Sequence, residues 1–250
     1  MSNLAKYVFP TVIDEAIIYP DSDGKPMSDN TKQYQYIILL QVNLDTMFAA
    51  NPDIFVAADL LWYPVQGRPS IRAAPDTMVI FGRPKGHRGS YKQWEEAGIA
   101  PQIAFEILSP GNTWREMNEK RLFYERYGVQ EYYEYDPDEG RLQIWLREDD
   151  LLRPVAFVGA WRSPLLDITM RVEADGELSV YFPDGRKFLP PVELQTELWR
   201  VEAEAARERA RAEQEHLRAE QERKRAEQVE QDNARLIAKL RELGIDPTTL

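Results

Sequence analysis

The chain reads as an α/β layer protein, a strand-rich body with one helix ahead of it and one inside it, followed by a long charged helix. Three observations predict this. Apolar runs of strand length recur between residues 54 and 172 and are broken by Pro, Gly, Asp or Asn. Helical periodicity appears twice before residue 130. Composition then changes abruptly after Pro190-Pro191, with no Pro or Gly from Val192 to Leu243. Strands mixed with helices in this order describe an α/β or α+β layer fold. The expected plan is an N-terminal arm over residues 1–28, a domain over 29–190 and a charged helical extension over 191–250.

The arm is irregular, with Pro10, Pro20, Pro26 and the turn-forming Asp21-Ser22-Asp23-Gly24. Asp29 or Asn30 can cap a helix running to about Ala50, with Ile37, Leu40, Leu44, Met47 and Phe48 on its apolar face and Gln33 at that face's edge. Strands are expected at 54–58, 60–63 and 77–81. Residues 82–101 read as a Gly-rich basic loop with a short helical turn near Tyr91–Glu96. Gln102–Leu108 is a strand, stopped by Ser109-Pro110-Gly111-Asn112, and Thr113–Tyr127 is a helix ended by Gly128. Strands follow at 129–135, 141–147, 151–158 and 165–172, with a hairpin near Asp175-Gly176.

The C-terminal segment carries a seven-residue repeat: Arg-Ala-Glu-Gln-Glu at 211–215 recurs at 218–222, and its first four residues recur at 225–228. With Leu194 at position d, the ends of the seam are apolar and the middle alternates Ala at a with Glu at d. The ends can pair with a partner, so a coiled-coil homodimer is expected, with a lone solvated helix as the other reading.

Composition excludes several classes. There are no cysteines, which removes disulfides, thiolate zinc sites and cysteine nucleophiles. Two histidines, His87 and His216, cannot build a His-rich metal site. Any metal must be held by oxygen, which points to Mg²⁺ or Mn²⁺. With 31 Lys and Arg against 42 Asp and Glu, the net charge of −11 weighs against non-specific coating of nucleic acid. Residues 1–190 carry −8 of it, which leaves room for an acidic metal site and a local basic patch. Neither a signal peptide nor a membrane-spanning run is apparent, so a cytoplasmic location away from membranes is expected.

Among candidate residues Glu106 stands out, a carboxylate inside the hydrophobic strand 102–108 on the face of Gln102, Ala104 and Leu108. It either meets a cation, holds a proton, or reaches solvent at a sheet edge. Asp76 sits in a Pro-Asp pair just before a strand, which alone is ordinary turn chemistry. Lys120 shares a helix face with Met117, Tyr124 and Tyr127, and spacing leaves open whether it snorkels outward or points back to Glu106. The loop containing Arg83, Lys85, Arg88 and Lys92 is the strongest basic cluster, either a flap that contacts DNA phosphates or a solvated loop.

Taken together, Ala-Pro-Asp (74–76), Phe-Glu-Ile-Leu-Ser-Pro (105–110), Lys120, Tyr124 and Tyr127-Gly128-Val129-Gln130-Glu131-Tyr132-Tyr133 with Asp136-Pro137 resemble the Uma-type endonuclease family of the PD-(D/E)XK, or restriction-endonuclease-like, superfamily. The likeness covers roughly residues 30–150. It implies a mixed β-sheet flanked by helices, Mg²⁺ or Mn²⁺ held by Asp76 and Glu106, Lys120 as the third catalytic residue, Gln33 as an accessory polar residue and DNA as substrate, with many such folds acting as dimers. The superfamily's usual lysine, two residues after the Glu, is here Leu108. The expected function is Mg²⁺-dependent cleavage of DNA phosphodiester bonds; the alternative is a nuclease-fold scaffolding module that recruits a partner through its C-terminal helix.

Overall fold

The computed structural model describes residues 17–24 and 26–242. Most of the arm, residues 1–16, lies outside the described residues. The chain divides into two compact units after Pro191.

In the first unit, helix α1 (Thr31–Met47) is capped by Asn30, whose side chain accepts from the Gln33 amide. Six strands form the main sheet: β1 (Ile54–Ala57), β3 (Thr77–Phe81), β5 (Ile103–Ile107), β6 (Glu131–Asp136), β7 (Arg141–Glu148) and β8 (Leu151–Pro154), in that spatial order. Only the β5–β6 pair is parallel; the other neighbours are antiparallel. Adjacent parallel strands need a crossover, and helix α2 (Trp114–Tyr127) supplies it. Thr113 caps α2 by accepting from the Glu116 amide, and Gly128 ends it at φ 101°, the left-handed conformation that suits glycine.

Both sheet faces are buried, and strand alternation sorts them. Ile103, Phe105 and Ile107 join Ile37, Leu40 and Leu44 of α1 in one core, which also takes in Met170, Val180 and Phe188. Ala104, Met78 and Ile80 face the other core with Tyr124, Trp62 and Tyr132. Even-numbered residues of β3 and β5 therefore face α2. Two smaller sheets complete the unit: β9 (Ala160–Arg162), β10 (Thr169–Val172) and β11 (Leu178–Tyr181), and the parallel pair β2 (Trp62–Tyr63) and β4 (Tyr91–Lys92).

Several expected boundaries move. The turn expected at 91–96 begins as strand β4, held to β2, and only Gln93–Glu95 turns as a short 3₁₀ helix. The strand expected at 151–158 stops at Pro154. That expected at 165–172 shrinks to 169–172, because Ser163–Asp167 form a turn in which Asp167 takes φ 61°. Strand β9, too short for a periodic signal, was not foreseen. The hairpin at Asp175-Gly176 is present between β10 and β11.

The second unit is helix α3 (Pro191–Glu242), none of whose residues is buried. Among the described residues no helix is long and apolar enough to cross a membrane.

Candidate active site

The site grows from the end of the β3–β5 ladder. The last antiparallel pair is Thr77 with Phe105, so one step further sets Asp76 opposite Glu106, on the face covered by α2. The ladder hydrogen bond beyond that point is replaced by a side chain: the Ile107 amide donates to Asp76 Oδ2 at 2.7 Å. The Ile107 carbonyl accepts from Gln33 Nε2 at 2.8 Å, and Gln33 Oε1 accepts from the Asp29 amide at 2.8 Å. The main chain of one residue thus ties Asp76 to the start of α1.

Glu106 lies on a central strand and is 2% exposed, so it is not the edge-of-sheet glutamate that reaches water. Its partners come from α2. Lys120 Nζ donates to Oε2 at 2.8 Å, and the Tyr124 hydroxyl donates to Oε1. Lys120 thus points back at Glu106 from the next helix, although the orthodox lysine position is Leu108, whose amide bonds Tyr135 on β6. At 3.6 residues per turn, Lys120 and Tyr124, four residues apart, share one face of α2, one residue for each carboxylate oxygen.

The electrostatics of the cluster follow from burial. Removal from water and the nearby Glu106 charge push the Asp76 pKa well above the usual carboxylate range, against the opposing pull of Lys120. Burial disfavours the Lys120 charge, but Glu106 and Asp76 outweigh it and raise its pKa above that of a free lysine, so the amine stays protonated. Burial, and then Glu106, push the Tyr124 hydroxyl up as well, which keeps it a donor.

A cavity of ≈ 760 Å³ opens over Asp76 and Lys120. Two of its lining residues were not foreseen. Asp59, at the end of β1, takes φ 48°, and burial followed by Asp23 raises its pKa. Its amide donates to the Pro75 carbonyl at 3.1 Å, which brings it beside Asp76. In sequence it is one polar residue between two apolar runs, and nothing there marks it. Arg72 lines the same cavity and makes no ion pair among the described residues. Among the described residues it is the only basic one on the wall apart from Lys120.

The basic loop is placed differently. Arg83 and Arg88 both bind Glu96, at 2.7 and 2.6 Å, and Arg88 lies over the Phe55 ring. The Arg88 hydrogen bond is the largest cause of a lowered Glu96 pKa. Lys85 pairs with Asp45 at 2.5 Å and Lys92 with Glu95 at 3.6 Å. All four cations are neutralised within the domain, and none lines the cavity.

Among the described residues no group of three or more Asp, Glu, His or Cys side chains is arranged to hold a metal ion. Two opposed buried carboxylates nevertheless fit Mg²⁺ or Mn²⁺, which take few protein ligands and keep several waters. The raised Asp76 pKa has like-charge repulsion as one cause, and a small hard cation relieves that repulsion.

The strained charge at Asp76 makes a stability prediction. Asp76→Asn keeps an oxygen to accept the Ile107 amide and removes the repulsion, so it should stabilise the fold at neutral pH by about 1 kcal/mol, raising Tm by about 2–4 °C. The folded-state pKa of Asp76 lies above its unfolded value. The gain should therefore be absent below about pH 4 and grow as pH rises through the folded-state pKa. Thermal melts of both proteins from pH 4 to 8 check it.

The fold and this cluster define a mixed α/β protein with an acidic pocket, closed by a lysine, at its strand ends. The chain belongs to the Uma2 family, described as "Putative restriction endonuclease", whose family model matches residues 23–190. Among solved structures it is similar to a "putative nuclease belonging to DUF820" from Anabaena variabilis, with 16% identity, a TM-score of 0.43, and coverage of 57% of this chain and 77% of that one. No curated protein matches.

Proposed function

We propose that the chain is an endonuclease that hydrolyses DNA phosphodiester bonds with Mg²⁺ or Mn²⁺, acting in the cytoplasm. Asp76 and Glu106 hold the cation, and Lys120 is the third catalytic residue. The observation that supports this above all is that Asp76 and Lys120 line one solvent-accessible pocket, while the buried Glu106 sits opposite Asp76 on the next strand and pairs with Lys120 at 2.8 Å. The cation, when bound, supplies Lewis acidity to the scissile phosphate.

The chain's own residues do the positioning. Gln33, through the Ile107 carbonyl, fixes the end of β5, whose Ile107 amide holds the Asp76 carboxylate. Tyr124 and Lys120 each hold one Glu106 oxygen, which fixes the carboxylate while each oxygen keeps a further lone pair for a cation. Lys120, permanently charged and only partly exposed, orients the attacking water and offsets charge developing on phosphorus. Arg72, on the same wall as Asp76 and Lys120, receives a neighbouring phosphate of the substrate.

The test is nicking of supercoiled plasmid with Mg²⁺, Mn²⁺ or chelator, comparing the wild type with Asp76→Asn purified identically. Because that substitution is expected to keep the protein folded, which the thermal melts check, loss of cleavage in it supports the reading. Equal cleavage by both overturns it. Arg72→Ala in the uncleaving Asp76→Asn background should weaken DNA binding about tenfold, read by fluorescence anisotropy. An unchanged Kd removes Arg72 from the substrate path.

One observation favours a second reading, a nuclease-like binding module without turnover: the cations of the 83–92 loop are all engaged by the domain's own carboxylates. Manganese binding by calorimetry in a protein that never nicks DNA would establish it.

A further inference from the structure

The catalytic reading leaves α3 unexplained. Its 52 residues expose Leu198, Val201, Val229 and Leu236, and each is more than half exposed. These side chains lie on one seven-residue seam, which a solvated helix has no use for. The seam's middle decides which way a partner can run. In a parallel pair of identical helices each d residue meets itself, so Glu208, Glu215 and Glu222 would form three stacked layers of facing carboxylates. The flanks do not offset this, because Glu197 against Glu202 and Arg218 against Arg223 repel while Glu204 against Arg209 and Arg225 against Glu230 attract.

We propose that α3 pairs with the α3 of a second copy of this chain, antiparallel, with Val201 opposite Leu240, Ala205 opposite Leu236 and Ala212 opposite Val229. In an antiparallel pair each a residue meets a d residue, so every seam glutamate meets something other than glutamate. Glu215 and Glu222 face Ala226 and Ala219, whose small side chains leave the carboxylates a route to water. Glu208 faces Asn233, an amide that can donate to it and mark the register.

The flanking charges single out this register. It sets Glu204 against Lys239, Arg209 against Glu230 and Arg211 against Asp232, each contact occurring twice by symmetry, with Arg218 against Arg225 as the like-charged exception. A shift of one heptad to put Ala205 opposite Val229 places Glu202 against Glu230, Glu204 against Asp232 and Arg209 against Arg223 instead. Opposite charges thus agree with the apolar pairing in one alignment and oppose it in the next.

The absence of native cysteine makes the test direct. Full-length Ala212→Cys and Val229→Cys chains are oxidised separately and as a mixture. Both substitutions are small and lie on an exposed helix, so folding is not at issue. The expected result is a disulfide-linked dimer in the mixture and none in either chain alone, because in each pure dimer the two cysteines lie about 25 Å apart along the axis. Cross-linking of each variant with itself shows a parallel pair and overturns the proposal. Linkage of Val229→Cys to Ala205→Cys in preference to Ala212→Cys overturns the register. No linkage in the mixture overturns the pairing itself, even if light scattering gives twice the 29.0 kDa chain mass, since the dimer then forms elsewhere.

Discussion

Lys120→Ala should lose about 10²- to 10³-fold in the rate of Mg²⁺-dependent cleavage while binding Mn²⁺ at least as tightly as the wild type. The rate falls because the amine is the one permanent positive charge held against the carboxylates, 2.8 Å from Glu106. Metal affinity survives because removing the amine takes a competitor away from Glu106 Oε2. Stability should fall by about 2–3 kcal/mol, less than for a fully buried pair, since the Lys120 side chain is 26% exposed while that of Glu106 is 2% exposed. Single-turnover cleavage, calorimetry and denaturant unfolding read the three quantities separately. Full activity in this variant would remove Lys120 from the chemistry, and loss of Mn²⁺ binding would make it structural.

Glu106→Gln should abolish cleavage, by about 10³-fold or more, with metal affinity falling in parallel. Its effect on stability should be small by comparison. The amide loses the attraction to Lys120, but the repulsion that adds to burial in raising the Asp76 pKa goes with it. The contrast matters: Lys120→Ala separates rate from metal binding, whereas Glu106→Gln moves both. A Glu106→Gln protein that binds Mn²⁺ like the wild type would mean the cation sits elsewhere.

Much of this site could be read from residue order because its parts are local. Thr113 and Gly128 bracket α2 by capping chemistry that acts within one turn, and the helix face then follows. Glu106 was conspicuous because a carboxylate inside a hydrophobic strand needs an explanation. The direction of Lys120 was not readable, since both outward and inward rotamers satisfy the spacing, and only the β5–α2–β6 crossover decides between them. Asp59 and Arg72 escaped notice for a different reason. Each reaches the cavity through loop geometry around β1 and β3, a left-handed residue in one case and an irregular approach to the Pro-Asp pair in the other. The internal partners of the basic loop were not readable because charge composition does not reveal them, although Glu96 lies only eight residues from Arg88. Strands β2 and β4, two residues each, pair in parallel over a span that no periodicity can encode.

The grip on Ile107 has a consequence for how this protein tolerates mutation. Asp76 and Gln33 both hold the main chain at that position, not its side chain, which lies in the α1-facing core. Every amino acid except proline offers the same amide and carbonyl. The alignment of the acidic pair is therefore insulated from drift at residue 107, where any apolar residue that fills the core preserves it, while the two side chains that do the holding have no such freedom.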